Sequence, residues 1–204
     1  MGFLLLQYEF QRASREVSVH QRAGIRLDNQ VIRYTKRIEN MQSVFQKAGD
    51  RLEKNYAKLS NLANNSIQGS INAAAASGAN AQALFQGTLN GIVVGGVSLG
   101  SIIQVGGLSA DASEKDILSA LSNAAAQAKA TLSEMIENAA EADKERLQAQ
   151  QDEQLQPISE KEADLQARKT LEDTLCDLWT TRRDNAKQHL GQDVKESMAG
   201  YGLG

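Results

Sequence analysis

Residues 31–62 read VIRYTKRIENMQSVFQKAGDRLEKNYAKLSNL, and apolar side chains recur in this stretch at every third or fourth position. The first position of each heptad is apolar throughout: Val31, Ile38, Phe45, Leu52 and Leu59. The same register extends back to Phe3, and the second apolar position of each heptad runs from Leu6 to Leu62, with polar exceptions at His20 and Asn55. A repeat of about 3.5 residues over this length predicts a left-handed coiled coil. We therefore expect one long N-terminal helix over residues 1–63, packed on a partner helix.

Residues 64–113 form a central segment that is rich in Ala and Gly and carries one charge, at Asp111. Small residues recur there at every fourth position: Ala75, Ala79, Ala83, Gly87, Gly91 and Gly95. On a helix they would form a smooth stripe, a glycine zipper, that another backbone can approach closely. However, the stretch 92–99 also fits a short β-hairpin with a Gly95-Gly96 turn. The sequence thus predicts helix followed by a loop or hairpin and leaves the choice open for residues 87–107.

Residues 114–204 return to amphipathic helix. Ser113 and Asp116 have the spacing of a capping box, and apolar residues follow at helical intervals. Pro157 predicts a break near it, either a kink or a restart of the helix, because proline has no backbone N–H to continue a helix. Beyond it an apolar stripe includes Leu175 and Leu178, with Cys176 buried beside them, and the chain ends in a Gly-rich tail. The predicted fold is mainly α, with the N-terminal helix packed against the C-terminal helices.

Charge is distributed unevenly along the chain, although the net charge is only −3. Residues 1–63 carry eleven Lys and Arg against six Asp and Glu, whereas residues 114–204 carry eleven against eighteen. Opposite excesses at the two ends favour pairing of the terminal segments, within one subunit or between subunits. Two independently solvated faces would give the same composition.

The residues needed for most catalytic and cofactor chemistry are scarce. The chain has two His and one Cys, and its glycines match neither a phosphate-binding loop nor a dinucleotide fingerprint. We therefore expect no catalytic, cofactor-binding or metal site, no enzyme activity and no small-molecule substrate. The basic N-terminal helix lacks aromatic stacking residues, which argues against nucleic-acid binding.

Long heptad helices at both ends, a nearly uncharged middle, one Pro, one Cys and no recognisable cleaved signal together resemble bacterial flagellins and the filament and needle subunits of type III secretion. The resemblance concerns architecture, and it implies a self-assembling homo-oligomeric subunit of a filament, tube or ring. It also implies a place at the cell surface or outside the cell, or in a phage particle. We expect the core and assembly contacts at these residues: Val31, Ile38, Phe45, Leu52, Leu59, Gly87, Gly91, Gly95, Leu175 and Leu178.

Two other functions fit parts of the sequence. A membrane-acting translocator, pore-forming or ejection protein would use the uncharged apolar and glycine-rich residues 83–108. That segment has fewer apolar side chains than a membrane span, which needs about 20 mostly apolar residues. An intracellular coiled-coil scaffold would use the long helices alone and would remain in the cytoplasm.

Overall fold

The computed structural model describes residues 2–77, 80–106 and 113–200. Two long helices dominate it, α1 (Gly2–Ala75) and α4 (Glu114–Gly200). Between them lie α2 (Ala81–Gly91), a two-stranded antiparallel sheet of β1 (Val93–Val94) and β2 (Val97–Ser98), and the short α3 (Leu99–Ile102). The prediction of a mainly α fold, with a long N-terminal helix packed on a C-terminal helix, is confirmed. Ala79, Leu108 and the tail at 201–204 lie outside the described residues.

The chain divides into two compact units, and each contains part of both long helices. Unit 1 consists of Met1–Gln42 and Glu153–Gly204, and unit 2 of Ser43–Asp152. In each unit a portion of α1 packs against a portion of α4.

Helix α1 continues beyond residue 63 to Ala75. It contains no proline, and its last turns are rich in Ala, the strongest helix former. The helix then unwinds through a turn in which the Ser77 amide donates to the Ala74 carbonyl at 3.0 Å. The Ala-rich start of the central segment is therefore the end of the first helix.

Helix α4 runs through Pro157 without ending there. The predicted restart of the helix at this residue is therefore wrong, and the alternative of a kink stays a prediction. Pro157 is exposed, so the carbonyl four residues earlier, which loses its N–H partner, can be solvated. Strong helix formers such as Glu, Gln and Lys surround the proline and favour the helix on both sides.

The N-terminus of α4 has the predicted capping box. The Asp116 amide donates to Ser113 Oγ at 3.3 Å, and the Ser113 amide donates back to Asp116 Oδ2 at 3.3 Å. The Ser113 hydroxyl also donates to the same carboxylate at 2.6 Å. These bonds satisfy amides that the first turn of a helix leaves without partners.

Unit 2 holds the largest apolar core of the described residues. Residues 63–74 of α1 and 121–136 of α4 enclose one side of α2, the hairpin and α3. The largest side chains buried almost completely are Phe85, Ile67, Leu89, Leu99, Leu121 and Leu132. Burying side chains of this size stabilises a fold by about 1.5–3 kcal/mol each.

Candidate interaction surfaces

In unit 1 the helices α1 and α4 run antiparallel along a narrow seam. Val17 and Leu165 are buried there, whereas Val31 and Ile38 are only half-buried. The seam on α4 is regular, and its members recur at alternating intervals of four and three residues. They are Ile158, Glu162, Leu165, Lys169, Glu172, Cys176, Trp179, Arg183, Ala186 and Leu190. Charged side chains therefore occupy several positions where a coiled coil usually has apolar ones.

Polar contacts across the seam compensate for these charges. They are His20 Nδ1 to Glu172 Oε2 at 2.6 Å, Lys169 Nζ to Asp28 Oδ1 at 3.1 Å, and a hydrogen bond donated by Thr35 Oγ1 to Glu162 Oε1. The Asp28 carboxylate raises the pKa of Lys169, since it stabilises the charged ammonium. Because every one of these groups meets its partner in one alignment of the helices, the contacts help to fix the register.

The apolar stripe predicted on the C-terminal helix only partly coincides with the seam. Leu175 and Cys176 are half-buried in unit 1, but Leu178 is 45% exposed and Leu171 is 59% exposed. Leu178 therefore lies outside the seam, which passes through Glu172 and Trp179, and its expected role as an assembly contact stays a prediction. The two exposed leucines are seven residues apart and lie on one outward stripe of α4. No charged residue interrupts this outer stripe: Ala167, Leu171, Thr174, Leu178, Thr181, Asn185, Gln188 and Gln192.

Helix α1 also has exposed apolar side chains at heptad spacing in unit 1. Ile25 is 62% exposed and Ile32 is 44% exposed, each one position beyond a seam residue. Both helices of the unit thus present a second row of large apolar groups to solvent. A two-helix layer with such rows resembles part of a larger helical bundle, in which a third helix would cover them.

Trp179 stands between two guanidinium groups at one end of unit 1. The Arg12 and Arg182 guanidinium carbons lie 5.7 and 4.9 Å from the ring centroid. These distances are typical of cation–π contacts. The three side chains border an open cavity of about 300 Å³ that Glu9 and His189 also line. Sequence periodicity places a tryptophan on a helix face but gives no indication of such a cation pair.

In unit 2 the seam on α1 drifts away from the predicted heptad. Phe45, Leu52 and Leu59 are half-buried as first heptad positions, but Asn55 and Leu62 are exposed. The packed residues after Leu52 are Tyr56, Leu59, Ala63, Ile67, Ser70 and Ala74. Leu52, Ala63 and Ala74 are separated by eleven residues, the repeat of a helix with about 3.67 residues per turn. Assigning Asn55 and Leu62 to the seam was therefore wrong.

Tyr56 gains a polar partner from this shift. Its hydroxyl donates to Asp143 Oδ2 at 2.7 Å, and this hydrogen bond raises the pKa of the phenol, because ionisation would remove the donor. One turn away, Lys144 Nζ lies 2.7 Å from Glu53 Oε1, and the ammonium lowers the pKa of that carboxyl. Both contacts join α1 to α4 within unit 2.

Residues 80–106, between the long helices, form a small cap within unit 2, and Gln86 makes several of the hydrogen bonds that hold the cap together. The Gln86 amide nitrogen donates to the carbonyls of Gly100 and Ile103 at 3.1 and 3.2 Å. Its amide oxygen accepts from the Val105 amide at 3.2 Å. These bonds tie α3 and the chain after it to α2. The sequence alone does not distinguish this glutamine from the others.

The predicted small-residue stripe does not continue through the cap. Gly87 and Gly91 lie on α2, but Gly95 belongs to the turn between β1 and β2, with φ of 60°, and Gly96 follows with φ of 83°. The three glycines therefore do not share a helical face, and of the two alternatives left open for residues 87–107 the structure shows the hairpin. Positive φ at both central residues is what the type I′ turn of a two-residue hairpin requires. A Cβ added to Gly87 or Gly91 would meet no atom within 4 Å, so their role in assembly remains a prediction.

The cap exposes apolar side chains near a groove. Val93, Val97 and Ile102 are each about half exposed. A groove of about 430 Å³ lies between the hairpin and α4, and Tyr56 and Met135 contribute to its wall. This is a second surface on which a partner could dock.

Comparisons with family models, curated proteins and solved structures find no match to this chain. Among the described residues, no helix is long and apolar enough to cross a membrane. Within the same ranges, no three His, Cys, Asp or Glu side chains come together in a way that could hold a metal ion.

Proposed function

We propose that this protein is a self-assembling structural subunit, whose copies associate side by side through unit 1 to build a filament, tube or ring. The observation that carries the proposal is the outer stripe of α4, where Leu171 and Leu178 face solvent at heptad spacing with no charge between them. Ile25 and Ile32 add a comparable row on α1. Large apolar groups repeated along a helix face are typical of a surface that another helix covers.

The energetics favour coverage by another subunit. Full burial of one Leu or Ile side chain contributes about 1.5–3 kcal/mol. The four side chains are 44–62% exposed, so covering them completely would supply at most about 3–6 kcal/mol before the entropy of association is subtracted. A contact of this size is weak by itself, and it drives assembly only together with further contacts between the same copies. The resemblance to flagellins and secretion filament subunits, which also combine long terminal helices, supports this reading.

The test replaces the outer leucines and leaves the seam intact. In the variant Leu171→Gln/Leu178→Gln, we expect wild-type helix content by circular dichroism, since both side chains are exposed. We expect wild type to form large assemblies, detected by light scattering and negative-stain microscopy, and this variant to form none. The matched control is Thr174→Gln/Thr181→Gln on the same stripe, which removes no large apolar group and should assemble. A wild-type protein that stays monomeric at high concentration would overturn the proposal.

A membrane-acting role is the second candidate, and the exposed Val93, Val97 and Ile102 of the cap favour it. Adding liposomes to the same wild-type sample distinguishes the two candidate functions. Oligomers that form only in the presence of liposomes would favour the cap as the working surface, and assemblies that form without lipid would favour the outer stripe of α4.

A further inference from the structure

Unit 1 carries a row of exposed arginines on the outer side of α1. Arg15, Arg22, Arg26 and Arg33 are all exposed, and their spacing is seven, four and seven residues. Eleven residues make close to three helical turns, so Arg15 and Arg26 lie nearly in line, as do Arg22 and Arg33. We call these four residues the basic row. Within the described ranges none of them forms an ion pair, although several other charged residues do.

Unit 2 carries an acidic row with the same spacing on the outer side of α4. Its members, Glu134, Glu141, Glu145 and Asp152, are exposed and again seven, four and seven residues apart. No ion pair involves any of them in the part of the chain that the structure describes. The nearby cations have other partners, since Lys144 pairs with Glu53 and Arg146 with Asp143.

Four cations and four carboxylates with identical spacing can be matched one to one on two straight helices. The sequence of intervals is the same in both directions, so the match holds for parallel and for antiparallel helices. At the same time, each helix uses its other side for packing: α1 contacts α4 through His20 and Asp28, and α4 contacts α1 through Asp143 and Lys144. A partner for either row must therefore approach from outside.

We infer that the basic row of one copy docks on the acidic row of a second copy. The inference rests on the proposed self-assembly and specifies the contact that gives it direction. Because the two rows are different surfaces, the contact is heterologous: each copy offers one row to the copy before it and the other row to the copy after it. Repetition of such a contact produces an open chain of subunits or a ring, according to the rotation between neighbours.

The experiment reverses the charge of each row and then combines the variants. The first variant is R15E/R22E/R26E/R33E, and the second is E134R/E141R/E145R/D152R. Each alone presents two rows of like charge and should fail to assemble. An equimolar mixture restores attraction at every contact and should assemble, as should the chain that carries all eight changes. Circular dichroism checks that each variant keeps its helices.

Matched controls reverse the same number of charges, at exposed residues that lie outside the two rows. For the first variant the control is K58E/K115E/K187E/K195E, and for the second it is E39R/D50R/D177R/E196R. Both controls should assemble as wild type does, which separates the rows from an effect of net charge. If the two controls also fail to assemble alone and assemble only when they are mixed with each other, net charge rather than the two rows decides, and the inference is overturned.

Two further outcomes would also overturn it while leaving self-assembly intact. Variants that each assemble alone as well as wild type would show that the copies associate without the rows. If the first variant assembles normally but loses binding to a fluorescent DNA duplex that the wild type retains, the basic row faces nucleic acid. A wild-type protein that never assembles is a different result, because it rejects the proposed function itself.

Discussion

At the scale of single residues, the glycines of the cap have two different structural roles. Gly95 and Gly96 have positive φ and are required by the turn, whereas Gly87 lies inside α2 with free space around it. We expect Gly96→Ala to lower the free energy of unfolding by about 1 kcal/mol, because a Cβ is strained at this φ. Gly87→Ala should raise it by up to about 1 kcal/mol, because Ala is the better helix former. Urea unfolding measures both.

The variant Gly91→Leu tests whether this glycine is needed for assembly rather than for folding. A Cβ at this position would meet no atom within 4 Å and residue 91 is exposed, so we expect the variant to keep the fold. If it also assembles like wild type, the predicted assembly role of the glycine stripe is contradicted.

For the other two glycine variants, equal destabilisation by Gly96→Ala and Gly87→Ala would contradict the assignment of Gly96 to the turn.

Residue-level detail was the part that the sequence could predict least. Ser113 and Asp116 were recognisable because a capping box depends on local spacing alone. Tyr56 was missed because its importance comes from Asp143, a residue distant along the chain, and from the drift of the seam by one position. Gln86 was missed for the same reason, since all three of its backbone partners are fixed by the folding of the cap.

At the scale of helices, the seam and the outer stripes should respond to mutation in opposite ways. Leu165 is buried in the seam of unit 1, so Leu165→Ala should cost about 2–4 kcal/mol of stability. Ile25 is exposed, so Ile25→Ala should change stability by less than about 0.5 kcal/mol while weakening assembly. Thermal unfolding followed by circular dichroism measures the first effect, and light scattering the second. Similar losses of stability in both variants would mean that Ile25 also belongs to the core of the unit.

Helices as elements were predictable, but their faces were only partly so. Uninterrupted apolar periodicity in α1 identifies a long helix and its seam through Leu52. In α4 the predicted core and assembly stripe included Leu178, which faces solvent. The actual seam contains Glu172 and Lys169, and their partners His20 and Asp28 come from the other helix. A pattern in one segment cannot reveal that a charge is neutralised by a distant one.

At the scale of the whole molecule, two kinds of contact between copies should be separable by salt. Contacts of the outer leucines are apolar and do not weaken as salt rises, whereas exposed charges are screened beyond about 8–10 Å at physiological ionic strength. Four exposed ion pairs at about 0.3–0.5 kcal/mol each amount to between 1 and 2 kcal/mol, or about a tenfold change in association constant. We therefore expect wild-type association, followed by light scattering, to weaken about tenfold between about 20 mM and about 500 mM NaCl.

The variant R15Q/R22Q/R26Q/R33Q keeps the leucine contacts but has no basic row. Its association at low salt should therefore already equal the wild-type value at high salt, and it should not weaken further as salt rises. If this variant keeps the salt dependence of wild type, the screened charges lie elsewhere on the subunit and the two rows do not meet.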